Sequence, residues 1–129
     1  MHELLETADI VVCLLPLTDE TRGILSRPFF EQMKQGANLV HVGRGAHCVI
    51  PDLAAALESC QVGNAILDVF ETEPLPEDDP AWKLKNCLIT PHVAGRTDAR
   101  TAGMNVATNL QRLQEGQPLL WQVDRSKGY

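Results

Sequence analysis

The chain has 129 residues, 44% hydrophobic and 22% charged, with no internal repeat; this is the make-up of one globular core, which excludes disordered and collagen-like structure and argues against a complete two-domain enzyme. A balance of 11 basic against 17 acidic residues, net charge −6, leaves no basic stripe for a phosphate backbone, so nucleic acid is not an expected partner. The longest apolar run, Ile10 to Leu17, falls far short of the roughly 18 residues a membrane span needs, and Glu3 stands where a signal peptide would be basic, so the expected setting is cytoplasmic, with Cys13, Cys48, Cys60 and Cys87 as reduced thiols.

Ala8 to Leu15 is a continuous aliphatic run without alternation, the pattern of a strand buried on both faces of a parallel sheet, and Pro16 stops it. Ser26 is placed to cap a short helix with Pro28 in its first turn, Phe29, Phe30 and Met33 on one side, and Gly36 as the left-handed residue beyond its end. Leu39 to Val42 reads as a second strand. Asp52 is the expected cap of a helix in which Leu53, Ala56, Leu57 and Cys60 recur at helical spacing until Gly63. Ala65 to Phe70 and Cys87 to Thr90 read as further strands, separated by the acidic loop Glu71 to Pro80, which fits neither period. Asp98 is placed to cap a last helix with the stripe Ala99, Ala102, Val106, Leu110 and Leu113, ended by Gly116-Gln117-Pro118. Strands alternating with helices imply an α/β fold with a parallel sheet, in which ligands bind beyond the carboxyl ends of the strands, here after Leu15, Val42, Phe70 and Thr90.

Those ends carry the polar groups. Arg44, flanked by Gly43 and Gly45, is presented where a backbone or ligand can approach, and its planar fork suits a carboxylate; a surface arginine in a tight turn is the alternative. The run G-x-G is not a dinucleotide fingerprint, because Cys48 stands at the third glycine position. Asp68 lies in an apolar strand, where its carboxylate needs donors, or else serves a turn. Glu71, Glu73, Glu77, Asp78 and Asp79 crowd the next loop, and nothing in the pattern chooses among them. His92 follows Thr90-Pro91 at a strand end, where an imidazole of ordinary pKa, roughly 6.5, is a candidate acid or base if a carboxylate accompanies it and a structural residue if none does. His41, His47 and Cys48 lack the paired spacing of a zinc site, so no metal is expected. Cys13 lies mid-strand and should be inert, and Cys48 has only His47 beside it, a weak case for a nucleophile.

Four ordered stretches, L-L-P-L-T-D-E-T-R-G (14 to 23), H-V-G-R-G (41 to 45), A-I-L-D-V-F-E-T-E-P-L-P (65 to 76) and T-P-H-V-A-G (90 to 95), resemble the D-isomer-specific 2-hydroxyacid dehydrogenases, and the tail from Gln122 to Tyr129 is most similar to their glyoxylate/hydroxypyruvate reductase branch. The resemblance implies an oxidoreductase that reduces a 2-oxo acid to the 2-hydroxy acid with NAD or NADP as cofactor, with a small 2-oxo or 2-hydroxy acid as ligand and a homo-oligomeric state. By the same resemblance Arg44 binds the substrate, His92 donates the proton and touches substrate and cofactor, Glu73 pairs with His92, and Asp68 holds the nicotinamide amide. Leu15, Pro16, Val42, Gly43, Arg44 and Gly95 then line the cofactor. Residues 1–97 correspond to the C-terminal half of a Rossmann-like, doubly wound NAD(P)-binding domain, and 98–129 to a helix and tail that return toward a substrate domain. Family members carry a substrate domain and a glycine-rich strand-turn-helix ahead of this region, so the alternative expectation is an inactive fragment or a non-enzymatic module of the same fold.

Overall fold

A computed structural model describes residues 2–126, so Met1 and the tail residues Lys127, Gly128 and Tyr129 lie outside the described residues. The elements follow in the order α1 (His2–Thr7), β1 (Ile10–Cys13), α2 (Arg27–Gln32), β2 (Ala37–His41), α3 (Ile50–Glu58), β3 (Val62–Leu67), β4 (Cys87–Ile89) and α4 (Ala99–Gln114), with single 3-10 turns at Gly45–His47 and Pro80–Lys83. The four strands form one parallel sheet in the order β1-β2-β3-β4, the Rossmann-like α/β class.

Alternation along the strands decides where the core sits. Val11 and Cys13 of β1, Leu39 of β2 and Ala65 and Leu67 of β3 are buried together with Phe29, Phe30 and Met33 around α2 and Leu53, Ala56 and Leu57 of α3. A fully buried Leu or Phe side chain contributes about 1.5–3 kcal/mol, so this two-layer core is the main source of cohesion in the body. The opposite face of the sheet is not covered: Ile10 and Leu88 are each 58% exposed, and Val12 and Ile66 are exposed beside them. The expectation of a strand buried on both faces is therefore corrected for β1, which is an edge strand with one buried face. An unbroken apolar run reports that both faces are apolar, not that both are packed.

Two helix boundaries also differ from expectation. Asp52 does not cap α3; the N-cap is Val49, Pro51 occupies the first turn, and the Asp52 carboxylate instead accepts the Arg27 N–H at 2.9 Å. It thereby caps α2 from outside, in place of Ser26, which sits at the N-cap without a side-chain bond. Gly63 does not end α3 either: Cys60 takes the left-handed conformation (φ 57°), and Gly63 lies in β3, where a Cβ would fall 2.5 Å from the Gly36 carbonyl oxygen. Helix α1, which no periodicity announced, buries Leu5 and offers its carbonyl to the Lys34 N–H.

The chain divides into two units between Ala94 and Gly95. In the second, the Asp98 carboxylate accepts from Thr101 N–H and Oγ1–H at the start of α4. At its end Gly116 (φ 66°) allows Gly116 N–H to reach Leu113 O and Gln117 N–H to reach Arg112 O, the paired bonds of a Schellman turn. The stripe Val106, Leu110 and Leu113 is exposed.

Candidate functional site

Because every strand runs the same way, the loops after β2, β3 and β4 leave from one edge of the sheet, and they carry Arg44, Asp68 with Glu73, and His92 respectively. Leu15 and Pro16 follow β1 at the same edge. Gly95 begins the second unit and is not part of this body.

Asp68 is 2% exposed and is met by three donors: Thr90 Oγ1–H and Val93 N–H on Oδ1, and Ala94 N–H on Oδ2 at 2.9 Å. Burial works against its charge, but the hydrogen bonds from Thr90, Ala94 and Val93 outweigh that and hold the carboxyl below the usual range. The loop that supplies the amides turns at His92, whose φ of 53° is left-handed and uncommon for a side chain with a Cβ. Asp68 is thus the fixed point on which the His92 loop is folded.

Glu73 answers the choice left open among the acidic loop residues. Its Oε1 accepts the Phe70 N–H at 2.8 Å and its Oε2 lies 2.7 Å from His92 Nδ1. The bond to His92, followed by that from Phe70, holds the Glu73 carboxyl below the usual range. An ionised Glu73 fixes the proton on His92 Nδ1 and leaves Nε2 as the nitrogen that can exchange a proton with a ligand. Beside the pair is a cavity of about 670 Å³ lined by Asp68, Phe70, Glu73, Leu75, Trp82 and His92. Trp82, which drew no attention in the sequence, stands in this wall with its Nε1–H bonded to Pro76 O; an aromatic in a loop of no clear period was the available signal.

Arg44 is exposed, with extended backbone, and its Nη1–H donates to Gly43 O at 2.8 Å. Contact requires a glycine at 45 and crowds any side chain at 43. A Cβ on Gly43 would lie 3.0 Å from His47 Nδ1 and 3.3 Å from Leu15 O, and one on Gly45 would lie 1.9 Å from the Phe70 carbonyl carbon. His41 and His47 are fully buried. His47 Nδ1 accepts the Arg44 N–H at 3.1 Å, His47 Nε2 faces Pro16 O at 3.2 Å, and His41 Nε2 faces Arg44 O at 3.0 Å. One donor atom each of Cys13, His41 and His47 lies within 4.8 Å of the others. Both His47 nitrogens are already engaged, however, and burial pushes the Cys13 thiol up, so the cluster does not offer a free ligand set for a metal. The Cys48 thiol, pushed up to about 12 mainly by burial, is not a nucleophile at neutral pH.

A sequence model described as D-isomer specific 2-hydroxyacid dehydrogenase, NAD binding domain, matches residues 1–94. Among solved structures, a D-isomer specific 2-hydroxyacid dehydrogenase from Xanthobacter autotrophicus Py2, in complex with NADPH and MES, is 41% identical with a TM-score of 0.89, over 99% of this chain and 53% of that one. The NADPH-dependent glyoxylate/hydroxypyruvate reductase of Sinorhizobium meliloti, in complex with NADP and sulfate, is 36% identical with a TM-score of 0.90, over 99% of this chain and 42% of that one. A D-isomer specific 2-hydroxyacid dehydrogenase family protein from Klebsiella pneumoniae 342 is 44% identical with a TM-score of 0.83, over 97% and 40%. The chain spans about half the length of these proteins, or somewhat less.

Proposed function

The chain belongs to the D-isomer specific 2-hydroxyacid dehydrogenases, and on that premise we propose that it supplies the proton-transfer and carboxylate-binding groups for reduction of a small 2-oxo acid, such as glyoxylate or hydroxypyruvate, with NADPH or NADH. The observation that carries this reading is the Glu73–His92 pair at 2.7 Å, on the sheet edge from which Arg44 also leaves. A bound nicotinamide would supply the hydride to the carbonyl carbon. His92, with Glu73 holding Nδ1, donates a proton from Nε2 to the carbonyl oxygen as charge develops there. The Arg44 fork orients the substrate carboxylate and opposes the same charge, an effect worth about 3 to 4 kcal/mol for one well-placed donor. Asp68 fits a cofactor amide in one respect: Oδ2 accepts a hydrogen bond from Ala94 alone and so keeps acceptor capacity. Leu15, Pro16, Val42 and Gly43 would border the cofactor.

The competing reading, an inactive fragment or binding module of the same fold, is favoured by one feature: within the 129 residues the G-x-G that follows a strand has Cys48 at its third position, so it offers no phosphate turn. One experiment separates the two. The chain alone, and the chain grafted in place of the matching segment of the Sinorhizobium reductase, are assayed with glyoxylate and NADPH. The graft is expected to turn over and the chain alone is not. In the graft His92→Ala should lower kcat by about 10²- to 10⁴-fold, and Arg44→Lys should raise KM as well as lower kcat, because an ammonium cannot reproduce the bidentate fork. Near-normal turnover in His92→Ala would overturn the assignment.

A further inference from the structure

Arg44 is gripped by its main chain. Its N–H donates to His47 Nδ1, and its carbonyl oxygen accepts both the His47 N–H at 2.9 Å and a bond from His41 Nε2 at 3.0 Å. The chemistry of the partners fixes the tautomers. An amide N–H can only donate, so His47 Nδ1 is bare and its Nε2–H donates to Pro16 O; a carbonyl can only accept, so His41 carries its proton on Nε2. Both rings are fully buried and meet edge to face, with centroids 5.7 Å apart. Burying an imidazole is costly unless its polar atoms are satisfied; here three of the four ring nitrogens are spent on Arg44 and on Pro16, the residues that leave β2 and β1 at the candidate site, and His41 Nδ1 is left without a partner.

We propose that His41 and His47 are positioning residues for Arg44: as neutral Nε2–H tautomers they hold its N–H and C=O, and so fix the base from which its guanidinium meets a substrate carboxylate. His47 also ties this base to the Pro16 carbonyl, so the loops after β1 and β2 move as one piece. The inference rests on the carboxylate-binding role given to Arg44 above. It goes beyond that role in assigning two side chains that touch neither substrate nor cofactor.

Asparagine and glutamine separate the two contacts of His47. The Oδ1 of an asparagine stands where Nδ1 is and can accept the Arg44 N–H, whereas the amide of a glutamine reaches toward Pro16 O and leaves that N–H without an acceptor. A residue that merely filled space would favour glutamine, the larger of the two. The experiment uses the full chain labelled with nitrogen-15, with oxamate as an unreactive isostere of a 2-oxo acid. Long-range histidine spectra of the unsubstituted chain are expected to show the Nε2–H tautomer at both positions; an Nδ1–H tautomer at either overturns the proposal without any variant. In His47→Asn the Arg44 amide should exchange with solvent, and its Nε resonance respond to oxamate, within about twofold of the parent. In His47→Gln exchange should quicken and oxamate binding weaken by about tenfold, with the amides of Leu39 and Leu67 unchanged as the control for folding. Equal behaviour of the two variants overturns the proposal. If oxamate moves no Arg44 resonance even in the parent, the carboxylate-binding role fails, and the exchange contrast still decides whether the histidines hold Arg44.

Discussion

At Gly45 the loop after β2 passes so close to the Phe70–Glu71 peptide that even a methyl group has nowhere to go. The obstacle is backbone, which cannot rotate aside, so Gly45→Ala is expected to destabilise the chain by about 3 kcal/mol or more and to separate the Arg44 loop from the loop that carries Glu73. A urea midpoint within error of the parent would show that the two loops can part freely. Burial, and next the neighbouring His47, push His41 down to about 4, while in the unfolded chain it protonates near 6.5. The unfolded state therefore binds the extra proton between these values, and stability falls as pH falls from 6.5 toward 4, by about 3 kcal/mol in all at roughly 1.4 kcal/mol per unit. Glu73, held down first by its bond to His92, has the same sign and loses its contribution as pH drops through its folded value. Denaturant midpoints at pH 7 and 4.5 should thus differ strongly, and His41→Gln should flatten the difference; a midpoint independent of pH would contradict the burial of a neutral His41.

The helix ends show what kind of information a sequence carries in plain form. Asp98 and Gly116 act on residues three to five positions away, and both were legible because caps are local. The partner of Asp52 is Arg27, 25 residues back, and no local pattern reports it. The difference is measurable: Asp52→Ala should cost about 1 kcal/mol by uncapping α2, Asp52→Asn much less, and Ser26→Ala should stay within about 0.5 kcal/mol because its hydroxyl makes no cap bond. A larger loss at Ser26 than at Asp52 would reverse this reading. The same division runs through the candidate site. The flanking glycines announced Arg44, and the ordered motifs announced Asp68, Glu73 and His92. The histidines three positions before and after Arg44 were weighed only as metal ligands, since their hydrogen bonds to main chain leave no trace in composition. Helix α1 was invisible because six residues with one buried leucine make no period, and the strand ends shifted by a few residues because pairing across the sheet, not propensity, sets them.

The described residues present apolar surface that a dilute monomer seldom keeps. Strand β1 lies at the sheet edge with Ile10 and Val12 exposed, Leu88 is exposed on β4, and in the second unit the α4 stripe is bare. Unpaired edge groups and a bare apolar face favour pairing with another chain, so sedimentation at micromolar concentration is expected to show species heavier than one chain; a single stable species at 14.2 kDa would count against it. None of the described helices is long and apolar enough to cross a membrane. Each strand pairs with the strand made just before it, so the body can be laid down in the direction of synthesis, and the segment bearing His92 is the last to join. Asp68 leaves the ribosome ahead of Thr90, Val93 and Ala94, its three donors, by roughly one to five seconds at usual elongation rates. During that interval its carboxylate lacks the three donors that hold it in the folded chain, so burial of the third strand's end waits for the fourth.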